Sequence, residues 1–254
     1  MNLKPLEHLA IIMDGNGRWA NLKQKPRVYG HVKGTKVAKQ IITDCSRLGI
    51  KHLTLYAFST ENWFRPHAEV SFLMNILRRY LKRETSNLIR ENIKFSIIGD
   101  MNRLPKDVVE TVKASMLATS HCTGLHLVFA ISYGSQQEIT EAAKNLGKAL
   151  LDGNLKLDDV TPEVFSRFLS SYPTPAPELI IRTSGEKRLS NFLLWQAAYS
   201  EFYFTDKLWP DFTKEDLMQA LESFSLRKRR FGGLSENPET SSEPNSGSNE
   251  VATH

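Results

Sequence analysis

Short apolar runs at 8–13, 52–58, 93–98, 125–131 and 178–182 alternate with longer stretches of helical spacing near 31–48, 68–91, 105–119, 135–150 and 161–171. Strands that alternate with helices predict parallel βαβ units, with one sheet buried between layers of helix. A last helix is expected at about 213–225, where Thr213 can cap and Asp216 follows three residues later. The expected fold class is α/β: a single domain with a central, mostly parallel sheet flanked by helices.

In open sheets of this kind ligands bind beyond the carboxyl ends of the strands. The segments that leave each run therefore carry the functional argument. The first run ends in Met13-Asp14-Gly15-Asn16-Gly17-Arg18-Trp19. Gly15 and Gly17 let the backbone turn tightly and present N–H groups to an anion. Arg18 adds a guanidinium fork suited to phosphate, and Asp14 can hold Mg²⁺ against the same phosphates. The spacing fits neither the dinucleotide fingerprint nor the Walker A loop, and an ordinary tight turn has the same residues. The cluster from Lys25 to His31 precedes a helix whose free N–H groups attract anions, so that Arg27 and His31 would face the same phosphate as the Gly15–Arg18 turn. A capping or surface role would serve His31 equally.

The second run leads into Ser59-Thr60-Glu61-Asn62-Trp63-Phe64-Arg65-Pro66, which is rich in polar and aromatic groups for a connector. A helix starting at Pro66 over packed aromatics explains part of it. The fifth run continues through Arg182-Thr183-Ser184-Gly185-Glu186 to Arg188, Leu189 and Ser190, a second anion-binding segment, with Glu201 following as a further acid. A structural ion pair accounts for Arg182 and Glu186 alone, but not for basic groups recurring after three strands. Two phosphate sites at one end of a sheet imply two phosphorylated substrates.

Charge agrees with anionic ligands. The chain carries +5, and residues 234–254 hold four glutamates and no Lys or Arg, which leaves +9 on residues 1–233. Nucleic acid, a membrane surface or a phosphorylated small molecule would all suit such a body. Two distant cysteines, Cys45 and Cys122, argue against a disulfide framework or a zinc site and suit a reducing cytosol. No apolar run has the length of a secretory core or a membrane span. Residues 235–254 are polar and Ser-, Asn-, Glu- and Pro-rich, and are expected to be a disordered tail. Val70, Leu73, Met74, Leu77, Leu81 and Leu88 form one stripe at helical spacing, which suits packing on the sheet and equally the wall of a hydrocarbon tunnel.

The stretches HLAIIMDGNGRWA, RVYGH, LTLYAFSTENWFRP, GLHLVFAISYG, LIIRTSGEKRLSNFLLWQAAYSEFYFTDKLWPDF and RKRRFGG occur in order across roughly residues 8–233. Together they resemble the cis-prenyltransferase family. The resemblance implies a catalytic domain over residues 1–233, a hydrophobic tunnel and a homodimer in the cytoplasm, with transient membrane-surface contact for product release and no nucleic acid. It implies that isopentenyl diphosphate is condensed in cis onto an allylic prenyl diphosphate such as farnesyl diphosphate. The product would be a long polyprenyl diphosphate, undecaprenyl diphosphate by default, for a cell-wall lipid carrier.

Carried over residue by residue, Asp14 would place Mg²⁺ on a diphosphate with Glu201 as its partner. Gly15, Asn16, Gly17, Arg18, Arg27 and His31 would hold the allylic diphosphate, with Trp19 beside them. Ser59, Thr60, Glu61, Trp63 and Arg65 would form a mobile loop that organises both substrates, and Asn62 would accept the proton, a role for which a phosphate oxygen is a rival. Arg182, Arg188, Leu189 and Ser190 would hold isopentenyl diphosphate, Arg230-Phe231-Gly232 would reach the partner's site, and Leu125 would limit the tunnel.

The chain departs from the family's usual glycines at Ser132-Tyr133-Gly134-Ser135-Gln136 and at Ser184. It has no DDxxD motif, since Asp158-Asp159 is followed by Val-Thr-Pro, which favours the cis class. A catalytically silent partner subunit would lack Asp14 or the Arg182–Glu186 loop, and an RNA-binding protein would spread its basic residues on an exposed aromatic face. Neither pattern is present.

Overall fold

The computed structural model describes residues 6–227. In chain order it contains β1 (His8–Ile12), α1 (Asn16–Leu22), α2 (Arg27–Arg47), β2 (His52–Ser59), α3 (His67–Arg90), β3 (Lys94–Ile98) and α4 (Lys106–Ala118). These are followed by β4 (His126–Tyr133), α5 (Ser135–Leu151), α6 (Pro162–Ser166), β5 (Leu179–Arg182), β6 (Glu201–Phe204) and α7 (Lys214–Leu226). The strands form one sheet in the order β3-β4-β2-β1-β5-β6, and every pairing is parallel.

Parallel strands buried on both faces need apolar residues at successive positions rather than at alternate ones, and β1, with five buried residues in a row, shows it. Leu9, Ile11, Leu53, Leu55, Leu179 and Ile181 point to one face, where Ile41 of α2, Leu81 of α3, Val112 of α4 and Leu217 of α7 close over them. Ala10, Ile12 and Ile180 point to the other face and meet Phe192, Leu193 and Ala197. Each such leucine or isoleucine contributes roughly 1.5–3 kcal/mol by leaving water. α7 starts as expected: Thr213 Oγ1 accepts the Asp216 N–H, and the Asp216 carboxylate accepts the Thr213 N–H at 2.8 Å.

The five expected strands are present. Three features differ from expectation. A helix, α1, follows the Gly15 turn directly. The helix expected over 161–171 spans only Pro162–Ser166, after which the backbone tightens into i→i−3 turns in which Phe168 N–H donates to the Phe165 carbonyl and Leu169 N–H to the Ser166 carbonyl. The four-residue β6 is too short and too exposed to show a period. The chain enters in the middle of the sheet: β2 joins one side of β1 and β5 the other. That switch point opens a crevice beyond the carboxyl ends of β1, β2 and β5. Arg230-Phe231-Gly232 and the tail lie outside the described residues, and no helix among the described residues is long and apolar enough to cross a membrane.

Candidate functional site

Asp14 leaves β1 with its backbone fixed from two sides. The Thr183 hydroxyl donates to its carbonyl at 2.7 Å and accepts its N–H at 2.9 Å, and the Trp209 N–H donates to the same carbonyl at 3.0 Å. Gly15 follows at φ +106°, and a Cβ there would stand 2.9 Å from Leu208 Cδ2, so only glycine makes this turn. The Asp14 carboxylate then points at the end of β5. Its Oδ2 lies 3.0 Å from Arg182 Nη2 and 3.1 Å from Arg18 Nη2. Burial alone would raise the pKa of Asp14. The Arg182 hydrogen bond, the two guanidinium charges and the Ser184 hydroxyl outweigh it and hold the carboxyl below its ordinary value, so Asp14 is anionic at neutral pH.

Arg182 is the buried member of this pair, and its other terminal nitrogen donates to Ser190 Oγ at 2.8 Å and to the Arg188 carbonyl. Glu186 joins the two exposed arginines, with Oε1 3.3 Å from Arg18 and Oε2 paired with Arg188. On the opposite rim Glu69, in the first turn of α3, gathers three more candidates. Arg65 Nη1 lies at 2.9 Å, Arg27 Nε at 3.5 Å and His31 Nε2 at 3.7 Å. Burial pushes His31 down to about 4, with Arg65 and Arg27 adding to it and Glu69 opposing, so the imidazole is neutral.

Residues Thr60–Phe64 form a 3-10 turn after β2. Asn62 Oδ1 accepts the Ser59 N–H at 3.2 Å, which fixes that amide in the turn. Glu61 accepts from Asn191 Nδ2 at 3.1 Å, tying the turn to the segment after Ser190. Trp63 donates to Ser132 Oγ at 3.0 Å and packs edge-on against Phe58.

These groups surround the mouth of a cavity of about 740 Å³. Asp14, Gly15, Asn16, Gly17, Arg18, Arg27, His31 and Arg65 line it, as do Ser59, Glu61, Asn62, Arg182, Arg188 and Ser190. Beyond the mouth the wall turns apolar: Ala38 of α2, Leu73, Met74, Leu77 and Tyr80 of α3, and Phe129 and Ile131 of β4. The apolar stripe of α3 thus serves both, with Leu73, Met74 and Leu77 on the cavity and Met74 also joining Leu81 and Leu88 in the sheet-facing core. A polar mouth with five arginines on an apolar chamber is the shape of a site for a diphosphate with a hydrocarbon tail.

Four expected contacts stand behind the wall. Trp19 is buried and donates to Asp211 Oδ1 at 2.8 Å, Thr60 is buried, Trp63 packs under the turn, and Leu189 joins the second core cluster. Leu125 is buried at the amino edge of the sheet and is not part of the cavity wall. Glu201 is not brought to Asp14 within one chain. It opens β6 opposite Leu179, three residues below Arg182 and so about 10 Å down the strand, and it pairs with Arg227 at 3.1 Å. The cause is the unanticipated β6, which runs parallel to β5 and puts its first residue at the far edge.

Among the described residues no cluster of three or more His, Cys, Asp or Glu could hold a metal by itself. The mouth nevertheless fits Mg²⁺, which is commonly held by one or two carboxylates together with substrate phosphates. Asp14 is the hard anionic ligand in place for that.

The family model for undecaprenyl diphosphate synthase matches residues 12–232. The chain belongs to this family. An isoprenyl transferase of Geobacter sulfurreducens is 48% identical over 228 residues, covering 90% of this chain and 93% of that protein. The isoprenyl transferase of Bacillus subtilis (strain 168) is 49% identical, over 90% and 88%. Among solved structures, lavandulyl diphosphate synthase from Lavandula x intermedia in complex with dimethylallyl diphosphate superposes with a TM-score of 0.88 at 39% identity, over 90% of this chain and 98% of that one. A probable undecaprenyl diphosphate synthase from Campylobacter jejuni gives 0.75 at 34%, over 91% and 100%. The protein is an enzyme of the isoprenyl transferase family, and the sheet and chamber described above are its fold.

The structure adds Glu69, Tyr56 and Asn191 to the expected residues. Tyr56 lines the cavity and donates to the Ser190 carbonyl at 3.3 Å. Asn191 accepts the Gln136 N–H at 2.8 Å and so seats α5 against the Arg188–Ser190 segment. A signal for Glu69 existed in its spacing of four from Arg65. Its link to Arg27 and His31, some forty residues earlier, had none.

Proposed function

We propose that the enzyme condenses isopentenyl diphosphate in cis onto an allylic prenyl diphosphate, farnesyl diphosphate in the first instance, and releases a long polyprenyl diphosphate. The observation that carries this reading is the single chamber with arginines at its mouth and an apolar wall behind them. An allylic diphosphate matches it end for end, and the relative holding dimethylallyl diphosphate supports that substrate class. Arg18, Arg27 and Arg65 would take the allylic diphosphate, and Arg182, Arg188 and Ser190 the isopentenyl one. Asp14 would hold Mg²⁺ against the substrate phosphates, where the ion would supply positive charge to the departing diphosphate. The arginines do the same from fixed positions, stabilising the charge that grows as the allylic C–O bond breaks. The proton lost after attack by the isopentenyl double bond needs an acceptor. Asn62, a neutral amide already engaged by Ser59, is a poor base, which favours a phosphate oxygen.

The exposed Leu194, Trp195 and Tyr199 beside the edge strand β6 are consistent with a homodimer. An undecaprenyl product used in wall synthesis and a cytoplasmic location with passing membrane contact belong to the same proposal. The test is incubation of the full chain with farnesyl diphosphate, labelled isopentenyl diphosphate and Mg²⁺, with and without EDTA. Label extracted into butanol and resolved by length should form a ladder that ends in one long product and vanishes with EDTA. A folded chain that yields no extractable label would overturn the proposal in favour of a silent partner subunit.

A further inference from the structure

Ser184 occupies an unusual backbone state at the centre of the arginine cluster. Its φ is +78°, in the left-handed region that a residue with a Cβ enters at a cost. Its own N–H donates to the Lys207 carbonyl at 2.8 Å, and the next N–H, that of Gly185, donates to the Thr205 carbonyl at 2.9 Å. The segment after β6 thereby holds Ser184 in that conformation. Persistent strain of this kind is maintained by its surroundings, and the contacts Ser184 makes suggest its use.

Those contacts converge on one guanidinium. Arg18 Nη1 donates to the Ser184 carbonyl at 3.0 Å, and Arg18 Nη2 donates to the Ser184 hydroxyl. Each terminal nitrogen has one further donor interaction, Nη1 with Glu186 Oε1 at 3.3 Å and Nη2 with Asp14 Oδ2 at 3.1 Å. One residue therefore holds one N–H of each arm through uncharged acceptors, while two carboxylates take the other N–H of each arm. An incoming diphosphate can replace the carboxylates with two of its own oxygens, fork on fork, without disturbing the uncharged pair.

We propose that Ser184 is a positioning residue for the allylic diphosphate, keeping the plane of Arg18 fixed while its carboxylate partners are exchanged for phosphate. The inference rests on the prenyl-transfer reading and deepens it. Arg18 on an exposed helix turn would otherwise swing with its own rotamers, and each binding event would bear the cost of ordering it. Arg182 needs no such aid, since its side chain is only 4% exposed.

The experiment compares the full chain with Ser184→Ala and Ser184→Gly. Binding of the unreactive analogue farnesyl thiodiphosphate is measured by calorimetry, KM for isopentenyl diphosphate by turnover, and Tm by thermal unfolding. Both variants are expected to weaken analogue binding about 5–10-fold, the loss of a modest hydrogen bond to a charged group. KM for isopentenyl diphosphate should stay within about twofold of wild type in both, because Arg182 is untouched. Ser184→Gly should melt no lower than Ser184→Ala, since glycine adopts this φ freely. Affinity and stability would then move independently, which a purely structural role does not allow. Wild-type affinity in both variants would overturn this inference alone, as would affinity losses that track Tm and fall equally on both substrates. A wild-type chain that binds no analogue would overturn the prenyl-transfer reading and this inference with it.

Discussion

Asp14 and Arg182, 168 residues apart in sequence, form an ion pair of 3.0 Å at the carboxyl ends of two adjacent strands. The pair joins the acid expected to carry Mg²⁺ to the arginine expected to carry isopentenyl diphosphate. Replacing Asp14 with Ala should reduce turnover by about 10³-fold or more, with the fold retained, because Arg182 keeps its bonds to Ser190 and the Arg188 carbonyl. Steady-state kinetics alongside circular dichroism checks both halves. Near-wild-type turnover would remove Asp14 from the mechanism.

Glu69 is the common partner of Arg27, His31 and Arg65. Glu69→Ala should raise the dissociation constant for an allylic diphosphate analogue about tenfold, roughly 1.4 kcal/mol, as three cationic or polar groups lose their shared anchor. His31 should stay neutral in the variant, because the carboxylate being removed favours its protonated form. Calorimetry measures the first effect and NMR titration of the imidazole the second.

Leu77 lines the apolar chamber on the face of α3 toward Phe129 and Ile131. A larger side chain there shortens the space for the growing tail. Leu77→Phe should therefore shift the product ladder to shorter lengths while the first condensation proceeds at a rate within a few-fold of wild type. An unchanged terminal length would place the limiting wall elsewhere.

His8, His52 and His126 stand in register on β1, β2 and β4, with ring centroids 5.8 and 5.6 Å apart. Burial lowers all three, His8 and His126 to about 4; the Pro175 carbonyl opposes it at His8 while His52 and His126 add to it there, and His52 adds to it at His126. Glu7 opposes the effect at His52 and Lys94 adds to it at His126. The unfolded chain thus binds more protons than the folded one between about pH 6.5 and pH 4, so stability should fall as pH drops through that window. His8 alone accounts for a change on the order of 3 kcal/mol. Urea unfolding at pH 7.5, 5.5 and 4.5 should show the midpoint falling, and less steeply in His126→Gln. A flat profile would remove the histidine row from the acid response.

Much of the chemistry is readable along the chain. Asp14 with the Gly15 turn, Ser59 to Arg65, and the segment opened by Arg182 each adjoin the carboxyl end of a strand, so their arrival at one end of a parallel sheet follows from connectivity alone. β6 escaped because four half-exposed residues carry no period, and with it went the position of Glu201 at the far edge. The resemblance implied Trp19 and Trp63 as substrate neighbours, and in the structure both turn their indoles inward to Asp211 and Ser132. Adjacency in sequence does not say which side of the wall a side chain takes.

The sequence by itself determined the fold class, the family and the end of the sheet that carries the site. Strand, helix and cap signals are local, and each strand's exit is written next to it. Tertiary structure alone decided which residues face the chamber, that the apolar stripe of α3 serves both cavity and core, and that Glu69 and Ser184 hold the arginines in place. Those outcomes depend on distances between segments up to 170 residues apart. Packing sets such distances through the whole folded chain at once, and no short stretch of sequence contains them.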